Sequence, residues 1–259
     1  MDDESEQVPQ PSLPWQVDDD APPSWLGVPP ADGEPRACAF CGEVPPPRSS
    51  FCPRCGRALT AALLPSQGDA LSIVFTDIED STFLTDRLGD ASWEAIIDEH
   101  NDIIREEIHT HAGFEVKLTG DGFLIAFADP IQALHCATRI QARVTTRADE
   151  RGSSWPVHVR VGIHRGDVIL RPGGDILGRA VNMASRIMDK GRGGDIVASA
   201  IFVEAVEPKI PRTFWTDFGD RRLRGLSDRV RMFRFEWPAY IGAEDGSGET
   251  VSELTPVTQ

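Results

Sequence analysis

The chain has 259 residues, 40% hydrophobic and 26% charged, with 41 acidic against 26 basic side chains and a formal net charge of −15. That length holds one medium domain and one small module. No run approaches the ~18 consecutive apolar residues of a membrane span, so the expectation is a soluble, cytoplasmic protein.

Residues 1–37 carry nine acids, one arginine and eight prolines, the composition of a disordered tail. Trp15 and Trp25 read as incidental apolar residues within it. Residues 239–259 form a second predicted tail, with four acids and no base. Together the tails account for −12 of the net charge and leave −3 for the rest. The acidity therefore says little about a functional site.

Residues 38–57 contain two knuckles, Cys38-Ala-Phe-Cys41 and Cys52-Pro-Arg-Cys55, each followed by a glycine. Four thiolates so spaced suit a closed tetrahedral Zn²⁺ site that replaces a core too small to form unaided. Disulfides or a redox CxxC are the alternatives. The segment resembles a small zinc ribbon. The local bases are only Arg36, just before it, and Arg48, Arg54 and Arg57 within it, without an aromatic–basic stripe. That disfavours nucleic acid and favours a regulatory protein partner. Residues 58–69 read as a linker.

The remaining folded part is residues 70–238. Leu71–Phe75 is an apolar, β-branched run, a buried strand. It leads into Thr76-Asp-Ile-Glu-Asp-Ser-Thr82 and a helical pattern over about Thr82–Ala112. A carboxylate at a strand's C-terminal end, beside a helix N-terminus, suits a metal–phosphate site. Phe114–Leu118 and Gly122–Phe127 read as a hairpin around Thr119-Gly-Asp-Gly122, with Asp121 at the tip as a ligand or a local backbone cap. A helix follows over about Pro130–Ala148, with Cys136 as a core thiol. Strands follow over about Val157–Leu170, then a helix over about Gly178–Lys190, then further strands. That helix places Asn182 and Arg186 at i,i+4, with Val181, Ala184, Ile187 and Met188 on its core face. Taken alone, the polar face reads equally as a solvated surface. The order predicts an α+β domain with helices covering a mixed or antiparallel sheet.

Taken together, these pieces resemble the catalytic domain of the class III adenylate/guanylate cyclases, over roughly Asp69–Trp237. The first motif, Phe75-Thr-Asp-Ile-Glu79 followed by Ser81-Thr82, is similar to the bacterial branch. The resemblance implies a ferredoxin-like βαββαβ core with extra strands. It also implies roles residue by residue. Asp77 and Asp121 match the metal-binding aspartates, with the Ile78 backbone carbonyl as a further ligand. Lys117 and Asp175 match the pair that recognises adenine. Asn182 matches the ribose-orienting residue and Arg186 the transition-state arginine. Arg224, in Leu223-Arg-Gly-Leu226, falls where relatives carry a base near the triphosphate. Asp80 departs from the glycine that many relatives have. Gly193-Gly-Asp195 lacks the Glu-Phe that would complete a GGDEF signature and reads as a turn.

The implied reaction is conversion of ATP to 3′,5′-cyclic AMP and pyrophosphate, with two Mg²⁺ or Mn²⁺ ions per site. Two carboxylates suffice, because Mg²⁺ keeps waters and phosphate oxygens as its other ligands. A lysine only donates and an ionised aspartate only accepts, which fits N1 and N6 of adenine. In the family the site forms between two catalytic domains, and this chain carries both halves, which implies a homodimer. The alternatives are a catalytically weak cyclase-like nucleotide-binding or interaction module, and a guanylate cyclase.

Overall fold

The computed structural model describes Val44, Arg54 and residues 70–171, 174–225 and 228–244. Cys38, Cys41, Cys52 and Cys55, with the zinc site expected of them, lie outside the described residues. So do both predicted tails up to residue 37 and beyond residue 244.

The first strand, β1 (Leu71–Ile78), is followed by α1 (Ser81–Leu88) and α2 (Asp90–Thr110). The expected helical region over about Thr82–Ala112 divides at Gly89, whose φ of 78° lies where only glycine sits without strain. Then come β2 (Phe114–Thr119), β3 (Gly122–Phe127), α3 (Pro130–Arg151) and β4 (Val159–Gly166). Asp129 caps α3 by accepting from the Ile131 N–H at 2.8 Å, with Pro130 opening the helix. A small β5–β6 hairpin (Ile169–Leu170, Ile176–Leu177) leads to α4 (Arg179–Met188). The described residues end with β7 (Ile196–Ser199), α5 (Ala200–Val206), β8 (Trp215–Arg222), β9 (Arg229–Phe235) and α6 (Trp237–Glu244).

Seven strands form one mixed sheet in the order β2-β3-β1-β4-β7-β9-β8. All neighbouring pairs are antiparallel except β4 with β7. The period-2 alternation of strands divides its side chains between two cores. Val74, Phe123, Ile125, Phe127, Val161 and Ile163 pack with α2 and α3. Leu71, Ile73, Leu124 and Ala126 point the other way and pack with Ala180, Val181 and Ala184 of α4. The sheet is therefore buried on both faces, the second covered by α4 together with Ile176, Val168 and Leu170 of the β5–β6 region.

Two segments differ from the sequence expectation. Residues 200–206, apolar and β-branched, fold as α5 rather than as a strand. Ser199 caps this helix by accepting from the Phe202 N–H, and Phe202, Val203 and Val206 are buried against the sheet. At the other end, α6 continues past the expected boundary at residue 238. Tyr240 is 7% exposed and bonds His135 at 3.1 Å, so residues 239–244 belong to the folded domain. Cys136 is buried as expected.

Candidate active site

Asp77 stands near the end of β1 on the face that α4 covers, the face of Ile73. The β2–β3 connection brings Asp121 to it. Two residues, Gly120 and Asp121, join those strands, and Gly120 has φ 71°, the pattern of a type II′ turn. Gly122 lets β3 run close to β1: a Cβ there would lie 1.9 Å from the Thr76 carbonyl oxygen. Thr76 Oγ1 also accepts from the Phe123 N–H at 3.0 Å. The two carboxylates are close enough that Asp121 raises the Asp77 pKa. Burial is the larger cause of that rise, opposed by a hydrogen bond from Arg160. Asp121 Oδ2 is buried and has no hydrogen-bond partner among the described residues.

An orphaned carboxylate oxygen beside a second, half-buried carboxylate is an acceptor set without enough donors. Hard divalent cations fill such sets. The pair fits one or two Mg²⁺ or Mn²⁺ ions that take their remaining ligands from water and phosphate. No cluster of three or more His, Cys, Asp or Glu residues occurs among the described residues. Ile78 closes β1 opposite Val159 and is 1% exposed.

Lys117 and Asp175 meet. Lys117 Nζ donates to Asp175 Oδ1 at 2.8 Å, and the Ile176 N–H donates to the same oxygen at 2.9 Å. The lysine, then its field and the amide, hold the Asp175 carboxyl below its usual range. Both side chains are about two-fifths exposed, open to an incoming group. A bulge makes this meeting possible. Glu115 faces Ile125 across the ladder while Lys117 faces Leu124, so β2 carries one extra residue. Strict alternation would put Lys117 on the face of Glu115, which bonds Arg105 of α2. The bulge turns Lys117 to the α4 face instead.

Asn182 is exposed on α4, one turn before Arg186, and the expected core residues Val181, Ala184, Ile187 and Met188 are buried. Arg186 Nη1 bonds Asp189 Oδ2 at 3.2 Å. Gly162 lets α4 lie directly on β4, since a Cβ there would come 2.3 Å from the Met188 backbone nitrogen. Through this packing Asp189 is near enough to raise the Asp77 pKa. Arg224 stands exposed in the β8–β9 connection. Among the described residues, no hydrogen bond or ion pair links the Lys117–Asp175 pair to Asp77 or Asp121.

Sequence reasoning missed Arg160 and Asp189. Arg160 lies directly opposite Asp77 on β4 and donates to its Oδ2. The available signal was a charge within Val159-Arg-Val-Gly-Ile163, in a strand buried on both faces. His100, on α2, is fully buried, and its pKa is lowered to about 4 by that burial.

Residues 64–235 match the family model described as "Adenylate and Guanylate cyclase catalytic domain". An adenylate cyclase of Lachancea kluyveri is 32% identical over 175 residues, which cover 56% of this chain and 9% of that protein. An uncharacterized Mycobacterium tuberculosis protein is 32% identical over 192 residues, covering 72% of this chain and 61% of that one. The chain thus spans less than two thirds of these relatives. Among solved structures, an adenylate cyclase of Trypanosoma brucei in its monomeric state superposes with a TM-score of 0.59 at 26% identity. It covers 68% of this chain and 93% of that one.

Proposed function

Because the chain belongs to the adenylate and guanylate cyclase catalytic-domain family, we propose that it converts ATP to 3′,5′-cyclic AMP and pyrophosphate. The observation that carries the choice of base is the Lys117–Asp175 pair, a donor and an acceptor 2.8 Å apart and open to solvent. Adenine presents N1 as acceptor and N6 as donor, so it replaces the internal bond with one to each side chain. Guanine presents the reverse pattern. Cyclisation of ATP and GTP compared under the same conditions tests this, and equal or better GTP turnover overturns it.

In this reading Asp77, Asp121 and the Ile78 carbonyl hold the cations. When bound, these lower the pKa of the ribose 3′-hydroxyl and neutralise phosphate charge. Asn182 orients the ribose, and Arg186 leaves Asp189 to meet charge on the α-phosphorus as the 3′-oxygen bond forms and pyrophosphate departs. Arg224 adds positive charge near the triphosphate.

The site is completed by a second copy of the chain, one copy supplying Asp77 and Asp121 and the other Lys117, Asp175, Asn182 and Arg186. Support comes from uncovered apolar side chains beside the base-reading pair. Leu118, next to Lys117, is 41% exposed, and Ile169 and Leu177 of the β5–β6 hairpin are 61% and 36% exposed. A second subunit over that rim removes them from water.

The four knuckle cysteines are proposed to hold a structural Zn²⁺ in a small module at residues 38–57, joined to the catalytic domain through residues 58–69. Equimolar zinc in the reduced protein is the expected result of metal analysis. Its absence contradicts the proposal.

A further inference from the structure

Asp77 and Arg160 are paired by the fold itself. They are directly opposed residues of antiparallel β1 and β4, and such neighbours hold their Cβ atoms about 5 Å apart. Arg160 Nη2 donates to Asp77 Oδ2, with the two side chains only 26% and 23% exposed. Arg160 Nε is buried with no partner among the described residues, so the guanidinium is held at this spot chiefly by Asp77. On the carboxylate side, Asp121 and Asp189 add negative charge that favours keeping a cation there.

We infer that Arg160 is a positioning residue that occupies Asp77 in the empty site and competes with the divalent cation for it. The inference rests on the reading of Asp77 as a cation ligand. A guanidinium and a divalent ion cannot share one carboxylate oxygen without strong repulsion in a half-buried place. Metal loading therefore works against the Arg160–Asp77 bond, directly at Oδ2 and through charge repulsion at Oδ1. The chain binds a divalent cation weakly on its own, and the arginine, not the number of carboxylates, sets that weakness.

Direct binding of Mn²⁺ to the zinc-loaded full chain without nucleotide, followed by the electron paramagnetic resonance of free Mn²⁺, tests the inference without recourse to activity. Arg160→Gln removes the charge and leaves a shorter, neutral amide. It is expected to tighten Mn²⁺ binding by about tenfold or more, the scale of one charged hydrogen bond. Arg160→Lys keeps the charge but loses the planar fork and is expected to fall between Gln and the wild type. It carries the test if thermal melting shows the Gln variant unfolded. Binding by the folded variants that equals or falls below the wild type overturns the inference. Asp77→Asn separates the two levels of the argument. If it abolishes Mn²⁺ binding while the Arg160 variants change nothing, only the competition is wrong. If it leaves binding intact, the reading of Asp77 as a ligand fails as well.

Discussion

Lys117 Nζ meets Asp175 Oδ1 at 2.8 Å across 58 residues of chain, and it does so because a bulge in β2 turns the lysine onto the face that α4 covers. On the proposed base-reading role, specificity rests on this backbone irregularity as well as on two side chains.

The base-reading role predicts a switch of preference. Lys117→Glu replaces a donor with an acceptor beside Asp175 and adds repulsion to it. Its kcat/KM for ATP is expected to fall by about a hundredfold, the scale of one lost charged hydrogen bond plus an unpaired partner. GTP should fall less, so that the ATP:GTP ratio drops. An unchanged ratio in steady-state assays contradicts the assignment.

Gly122 is predicted to be irreplaceable for steric reasons. Alanine there puts a Cβ 1.9 Å from the Thr76 carbonyl oxygen, backbone that cannot move without disturbing Asp77 and Asp121. Gly122→Ala is expected to lose at least ~2 kcal/mol in urea unfolding, the scale of severe overpacking. Gly194→Ala is the contrasting control. No atom lies within 4 Å of its added Cβ, and its cost arises only from a φ of 90°.

Much of this arrangement was legible in the sequence. The hairpin around Asp121 and the face of α4 were readable because apolar periodicities of 2 and 3.6 survive in short windows. Other features left no such trace. A bulge changes register without changing composition, so the side of the sheet that Lys117 takes could not be read. The run at residues 200–206 is too short for its pattern to separate strand from helix, and packing of Phe202 and Val203 decided it. The partner of Asp77 depended on strand pairing, which places Arg160 opposite it from 83 residues away.

Two buried histidines set a pH dependence of stability. His100 and His164, 0% and 5% exposed, each have a pKa lowered from 6.5 to about 4, mainly by burial. The unfolded chain takes up these protons near pH 6.5 and the folded chain only near pH 4. Stability is therefore full above pH 6.5 and falls as the pH drops toward 4, by on the order of 3 kcal/mol per histidine. Urea midpoints from pH 7.5 to 4.5 check this. His164→Asn, which retains a partner for the Ser199 hydroxyl, should flatten the slope.

A shared site predicts complementation. Asp77→Ala and Arg186→Ala chains, each inactive alone, should recover one working site per mixed dimer. Activity after mixing should approach a quarter of the wild type for a statistical exchange of subunits, as one of two sites works in half of the dimers. Mixed dimers confirmed by mass spectrometry yet without activity contradict the two-chain site.

The most direct test of the central claim is formation of cyclic AMP by the purified full chain given ATP and Mn²⁺, with Asp77→Ala measured alongside. Cyclic AMP and pyrophosphate in equal amounts are expected from the wild type, with a loss of about a thousandfold or more in the variant. No cyclic AMP from a folded, dimeric wild type, or equal rates from both proteins, would contradict it.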